Sequence, residues 1–140
     1  MAETNPLPNL ACRCFTHSTE TILWAKKNEK KSRHFFDYQK MKEMNSGKQM
    51  KDVWTGALTK PSEKTEGKHP TQKPEYLLER IVLASREEGQ VIMDPFCGSG
   101  TTGVVANRMG RMFIGIDNCE RYLQITQRRL EKIKDVYRNG

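Results

Sequence analysis

Val91-Ile92-Met93-Asp94-Pro95-Phe96-Cys97-Gly98-Ser99-Gly100-Thr101-Thr102 decides the fold. Its three leading apolar residues read as a short buried strand, Gly98 and Gly100 permit a turn closed to other residues, and Thr101 onward reads as helix. A second apolar run, Met112 to Ile116, follows and ends in Asp117, seventeen positions after Gly100. Strand, turn, helix and strand in this order make a parallel unit of an α/β sheet. The turn presents backbone N–H groups and the positive end of a helix to a ligand. An acidic residue at the end of the neighbouring strand can accept hydrogen bonds from two ribose hydroxyls. The stretch is therefore a nucleoside-cofactor site.

What surrounds the turn narrows the nucleoside. A P-loop ends in Gly-Lys-Ser/Thr, whereas Gly100 is followed by Thr101, which disfavours nucleoside triphosphates. Gly98, Gly100 and Gly103 do satisfy the glycine spacing of a dinucleotide loop, so a nicotinamide-binding module remains an alternative. Asp94 argues against it: a carboxylate there repels a pyrophosphate and attracts an ammonium or sulfonium group.

Asp94-Pro95-Phe96-x-Gly98-x-Gly100-Thr101-Thr102 resembles the cofactor loop of the S-adenosylmethionine-dependent DNA amino-methyltransferases, which modify the exocyclic nitrogen of adenine or cytosine. His69-Pro70-Thr71-Gln72-Lys73-Pro74 is similar to that family's second cofactor-contacting motif. Phe113-Ile114-Gly115-Ile116-Asp117 matches its ribose-binding strand end, where Glu is commoner than Asp. Thr21 to Lys26 and Asp52-Val53-Trp54 resemble segments between the catalytic and cofactor halves.

The resemblance implies a partial Rossmann-like methyltransferase fold with an incomplete sheet, from the permuted class in which the catalytic motif precedes the cofactor motifs. No Asp/Asn/Ser-Pro-Pro-aromatic tetrapeptide is present, and Asn5-Pro6-Leu7-Pro8 is only its nearest string. The chain thus looks like a C-terminal part. Residues 1–26 are expected to be the end of the catalytic half, 27–68 a basic DNA-recognition region, and 69–140 the cofactor-binding half. The implied activity is site-specific DNA methylation, adenine N6 favoured, dependent on an N-terminal half in the same or a separate chain. A noncatalytic remnant that binds DNA or cofactor is the alternative.

The resemblance also implies roles for the cofactor residues. Phe96, Gly98 and Gly100 form the loop under the amino-acid moiety, and Cys97 and Ser99 add backbone contacts. Asp94 holds the ammonium group, or else stabilises the turn before Pro95. Thr101 and Thr102 bond the cofactor carboxylate, or else cap the helix. Thr71, Gln72 and Lys73 lie near the methionine end, with Lys73 the carboxylate partner, and His69 packs. Asp117 holds the ribose. No catalytic residue and no metal ligand is assigned.

Charge distribution points to DNA. Residues 26 to 73 hold thirteen Lys/Arg against six Asp/Glu, and that surplus is the whole formal charge of +7. A basic stretch usually just faces solvent, but beside such a cofactor half it is read as a polyanion-binding surface. Phe35, Phe36, Tyr38 and Trp54 stack on bases or anchor its loops. No apolar run reaches the length of a membrane span and no signal peptide is seen, so a cytoplasmic location is expected. Cys12-x-Cys14 with His17 lacks a second ligand pair for zinc. Cys97 reads as a buried filler rather than a nucleophile. All four cysteines are expected as free thiols.

Periodicity predicts a strand over 21–25, a short helix over 38–44, and an amphipathic helix over 75–86 ended by Gly89. It also predicts strands over 91–94 and 112–117, a helix over 101–109 stopped by Gly110, and a last basic helix over 120–136.

Overall fold

The computed structural model describes residues 1–4, 6, 8–27 and 34–138. Asn5 and Leu7 of the Asn5-Pro6-Leu7-Pro8 string, and part of the basic region, lie outside the described residues.

The elements run β1 (Ala2–Glu3), α1 (Tyr38–Met44), β2 (Thr55–Gly56), a 3-10 turn (Pro61–Lys64), α2 (Glu75–Ser85), β3 (Val91–Asp94), α3 (Thr101–Arg108), β4 (Met112–Gly115) and α4 (Glu120–Arg138). This is an α/β chain with two short parallel sheets. β3 pairs β4 in parallel with Val91 opposite Met112 and Asp94 opposite Gly115, and β1 pairs β2.

Local chemistry explains most element ends. Asp37 caps α1 by accepting the Lys40 N–H at 2.9 Å, and its own N–H donates to Ala84 O, which ties α1 to the end of α2. Pro74 is extended and precedes α2 without a capping side chain. Glu63 supplies the cap from the 3-10 turn, accepting the Glu75 N–H at 2.9 Å. α2 ends at Ser85 because Arg86 is extended. Gly89 therefore does not cap the helix; it makes the following turn, donating its N–H to Gly110 O. The ladder of β4 spans Met112 to Gly115, and Ile116 extends its hydrogen bonds by donating to Asp94 O and accepting the Cys97 N–H, each at 2.9 Å, so that Asp117 is delivered beside the turn.

α3 is the central layer, packed against α2, α4 and the β3–β4 sheet. Val104, Val105 and Ala106 are buried there with Leu77 and Val82 of α2 and Ile125 of α4. Gly103 lets α3 approach the sheet, since a Cβ would stand 2.5 Å from the Phe113 ring. Alternation along the strands sends Ile92 and Phe113 toward α3 and leaves Val91, Met93, Met112 and Ile114 on the other face, exposed. One side of a parallel sheet thus stands open, an arrangement that parallel sheets ordinarily avoid.

The strand expected over Thr21–Ala25 does not form. β1 takes β2 as its ladder partner, and Ala2 bridges Thr19 of the stretch that precedes the expected strand. Among the described residues no strand pairs with it, so these β-prone residues remain irregular, and Leu23 is 88% exposed.

Candidate cofactor site

The elbow forms where β3 passes the chain to α3. Gly98 (φ +53°) and Gly100 (φ +75°) both adopt the left-handed conformation. A Cβ at Gly98 would lie 3.1 Å from His69 Nε2, and one at Gly100 would lie 2.6 Å from Thr126 Cγ2. Gly100 is the N-cap of α3 and offers no side chain to cap it. The first amides of the helix therefore keep their hydrogens for another acceptor.

Two carboxylates brace the elbow from adjacent strand ends. Asp94 Oδ1 accepts the Phe96 N–H at 3.1 Å and Oδ2 accepts the Thr102 hydroxyl at 2.6 Å. The turn-stabilising contact foreseen as the alternative for Asp94 is thus made. Asp117 Oδ1 accepts the Cys119 N–H at 2.8 Å and Oδ2 the Gly98 N–H at 2.9 Å. These two amide bonds, Cys119's first, hold the Asp117 carboxyl below the usual range. A carboxylate has about four acceptor positions, so each keeps about two for a ligand.

Thr101 and Thr102 turn their hydroxyls inward, Thr102 to Asp94 and Thr101 to the guanidinium of Arg129 at 3.1 Å. Neither caps α3. Cys97, Gly98, Ser99 and Gly100 are buried, whereas Phe96 at the tip is 87% exposed. Burial raises the Cys97 thiol above its ordinary value, which keeps it neutral and unsuited to nucleophilic attack at pH 7. Cys12 and Cys14 are exposed.

The second segment meets the elbow through His69, whose ring stands over Gly98 and 4.2 Å, edge-on, from the Tyr122 ring. Thr71 donates its N–H to His69 Nδ1 at 3.3 Å. Gln72 Nε2 donates to Glu63 O at 2.7 Å, while its Oε1 is buried with no partner among the described residues. Lys73 pairs with Glu20 at 2.6 Å. Thr71, Gln72 and Lys73 line a neighbouring cleft of about 580 Å³ together with Phe15, His17 and Glu20. The structure therefore gathers Asp94, Phe96 to Thr102 and Asp117 into one hydrogen-bonded unit and sets Thr71 to Lys73 beside it.

Three residues of this unit carry no motif. Thr126 donates to Gly98 O at 2.9 Å, and Arg129 donates to Ser99 O at 2.7 Å and to Glu75 Oε1 at 2.9 Å. The signal available in the sequence was an arginine three residues after Thr126 and four after Ile125 on the last helix, the spacings that share a helix face.

A glycine elbow uncapped at its helix, flanked by carboxylates with spare acceptors, suits a nucleoside that carries an amino-acid group. Residues 1–128 match the DNA methylase family N6_N4_Mtase, and the chain belongs to that family. It is 71% identical over 130 residues to Type II methyltransferase M2.LlaDCHI of Lactococcus lactis subsp. cremoris, which covers 93% of this chain and 48% of the relative. Type II methyltransferase M2.MboI of Moraxella bovis is 47% identical over 135 residues, covering 96% of this chain and 49% of the relative. The chain thus spans about half the length of these curated relatives. Among solved structures, the M1.HpyAVI–SAM complex aligns with a TM-score of 0.69 and 32% identity over 92% of this chain and 58% of that chain. The cytosine-N4-specific PvuII DNA methyltransferase aligns with a TM-score of 0.58 over 74% of this chain and 41% of that chain, at 24% identity, and supports the fold. The partial Rossmann-like architecture is that of these methyltransferases.

Proposed function

We propose that this chain is the cofactor-binding half of a site-specific DNA methyltransferase that moves a methyl group from S-adenosylmethionine to an exocyclic base amine. The observation that carries the reading is the elbow itself. Gly98 and Gly100 hold a left-handed turn packed so closely on His69 and Thr126 that neither position has room for a Cβ, and the turn lies between two carboxylates with acceptors to spare. S-adenosylmethionine, when bound, supplies an electrophilic methyl group on a sulfonium centre. The free acceptor positions of Asp94 suit its ammonium and those of Asp117 its ribose hydroxyls. Phe96 to Thr102 form the wall between them, and Thr71, Gln72 and Lys73 extend it from the neighbouring segment.

The substrate is DNA, with adenine N6 the favoured acceptor on the overall resemblance of the motif set. Lys48, Lys51, Lys60 and Lys68 are exposed along the basic region, where they suit phosphates. Trp54 serves as an anchor there, its ring 4.8 Å from the Arg80 guanidinium and its Nε1–H donated to Lys51 O. The groups that orient the base amine belong to a catalytic segment carrying the missing tetrapeptide, in the same polypeptide or another. Two features support such a complement: relatives twice as long, and an apolar sheet face left open.

Calorimetric titration with S-adenosylmethionine and with NAD tests the cofactor, with Asp94→Ala and Asp117→Ala weakening the former. Binding of NAD alone would overturn the assignment. Mixing the chain with a tetrapeptide-bearing half and duplex DNA should place label from the methyl donor on a base, and nucleoside mass analysis reads N6-methyladenine against N4-methylcytosine. Label transfer by this chain alone would show that the catalytic groups are misplaced; cofactor binding without transfer in the mixture would mark a noncatalytic remnant.

A further inference from the structure

We propose that Thr126 and Arg129, on the buried face of α4, are positioning residues that set the elbow for its cofactor; this rests on the S-adenosylmethionine reading. Thr126 Oγ1 holds the Gly98 carbonyl at 2.9 Å and Arg129 Nη1 the Ser99 carbonyl at 2.7 Å. No peptide bond here is cis. In a trans peptide the carbonyl and the following N–H point in opposite directions. Fixing Gly98 O against α4 therefore turns the Ser99 N–H to the opposite side of the elbow. Fixing Ser99 O does the same for the Gly100 N–H, which is seen donating to Cys97 O at 2.8 Å. Two side chains thus dictate which way two peptide planes face.

Arg129 extends the control further. The same guanidinium donates to Thr101 Oγ1, the first residue of α3, and its other nitrogen pairs with Glu75, the first residue of α2. Glu75 directly follows the His69-to-Pro74 segment, so one buried cation links both cofactor motifs. Its side chain is only 6% exposed. A buried ion pair is poor value for stability alone, since well-packed apolar groups serve as well or better. Its geometric constraint on the elbow gives the arginine a role that an apolar residue would lack.

The test is calorimetric titration of the full chain with S-adenosylmethionine, well below the melting temperature of each variant, alongside melts without ligand. Thr126→Val and Arg129→Met should raise Kd by about fivefold or more among folded molecules, the scale of losing one buried hydrogen bond. Arg129→Lys should recover part of the loss, and Thr126→Ser most of it. A merely structural role would lower the melting temperature and leave Kd within twofold of wild type, which would overturn the proposal. Should Arg129→Met fail to fold, the Thr126→Val and Thr126→Ser pair decides on the same criterion. A wild-type chain that binds no S-adenosylmethionine overturns the cofactor reading and this inference together, whereas normal wild-type binding with unmoved variants overturns this inference alone.

Discussion

Gly100→Ala measures how tightly α4 presses on the elbow. Gly100 sits at φ +75°, where alanine costs about 1–2 kcal/mol more than glycine. The new methyl would also stand 2.6 Å from Thr126 Cγ2 and 2.7 Å from its Oγ1. Thr126 must then rotate or withdraw, which breaks its bond to Gly98 O and leaves that buried carbonyl short of a donor. Loss of such a partner costs about 1–3 kcal/mol. The two contributions together predict a destabilisation of about 2–5 kcal/mol. Gly89→Ala isolates the first of them. Gly89 has nearly the same φ, +77°, and a Cβ there would meet nothing within 4 Å. Urea unfolding of both variants, compared at unchanged m, reads the difference directly. Gly100→Ala should exceed Gly89→Ala by about 1–3 kcal/mol. Equal costs would refute the close contact between elbow and α4, and a cost below about 0.5 kcal/mol for both would refute the left-handed conformation itself.

Acid should act on the elbow through Asp117. Its folded carboxyl lies below the ordinary value because the Cys119 and Gly98 amides bond the charged form. The stabilisation is therefore complete above the unfolded value of about 4 and is lost as pH falls through the folded one. Wild type should lose more stability than Asp117→Asn between pH 5 and pH 3, each read by urea midpoint; equal slopes would sink the assignment. Thiol labelling should separate the cysteines, with exposed Cys12 and Cys14 reacting fast and buried Cys97 protected until the chain unfolds. Rapid labelling of Cys97 in the native chain would contradict its burial. Met93→Lys, on the open sheet face, should change the stability of the chain by less than about 1 kcal/mol yet prevent recovery of methyl transfer on mixing with the proposed complementary half. Unimpaired recovery would show that this face is not the junction.

What the sequence disclosed followed the range of the interactions concerned. The run from Val91 to Thr102 carries its own instructions: apolar residues for the strand, Gly98 and Gly100 for the left-handed turn, and a helix whose cap has no side chain. Each acts within a few residues, so the elbow, α3 and β4 were readable. The 38–44 helix was readable for the same reason, with Asp37 at its cap. Thr21 to Ala25 misled because β-propensity describes a segment's fitness for a ladder and says nothing of whether a neighbour arrives. Side-chain partners from far along the chain are equally hidden: Lys73 pairs with Glu20, fifty-three positions away, at 2.6 Å. Arg129 is the strongest case. Its four-residue spacing from Ile125 sets it on the inner face of α4, but only the folded chain shows that it joins Ser99, Thr101 and Glu75. The composition of the elbow was written in its glycines and carboxylates; its orientation depends on a helix about thirty residues downstream, and that dependence becomes visible only when the chain is folded.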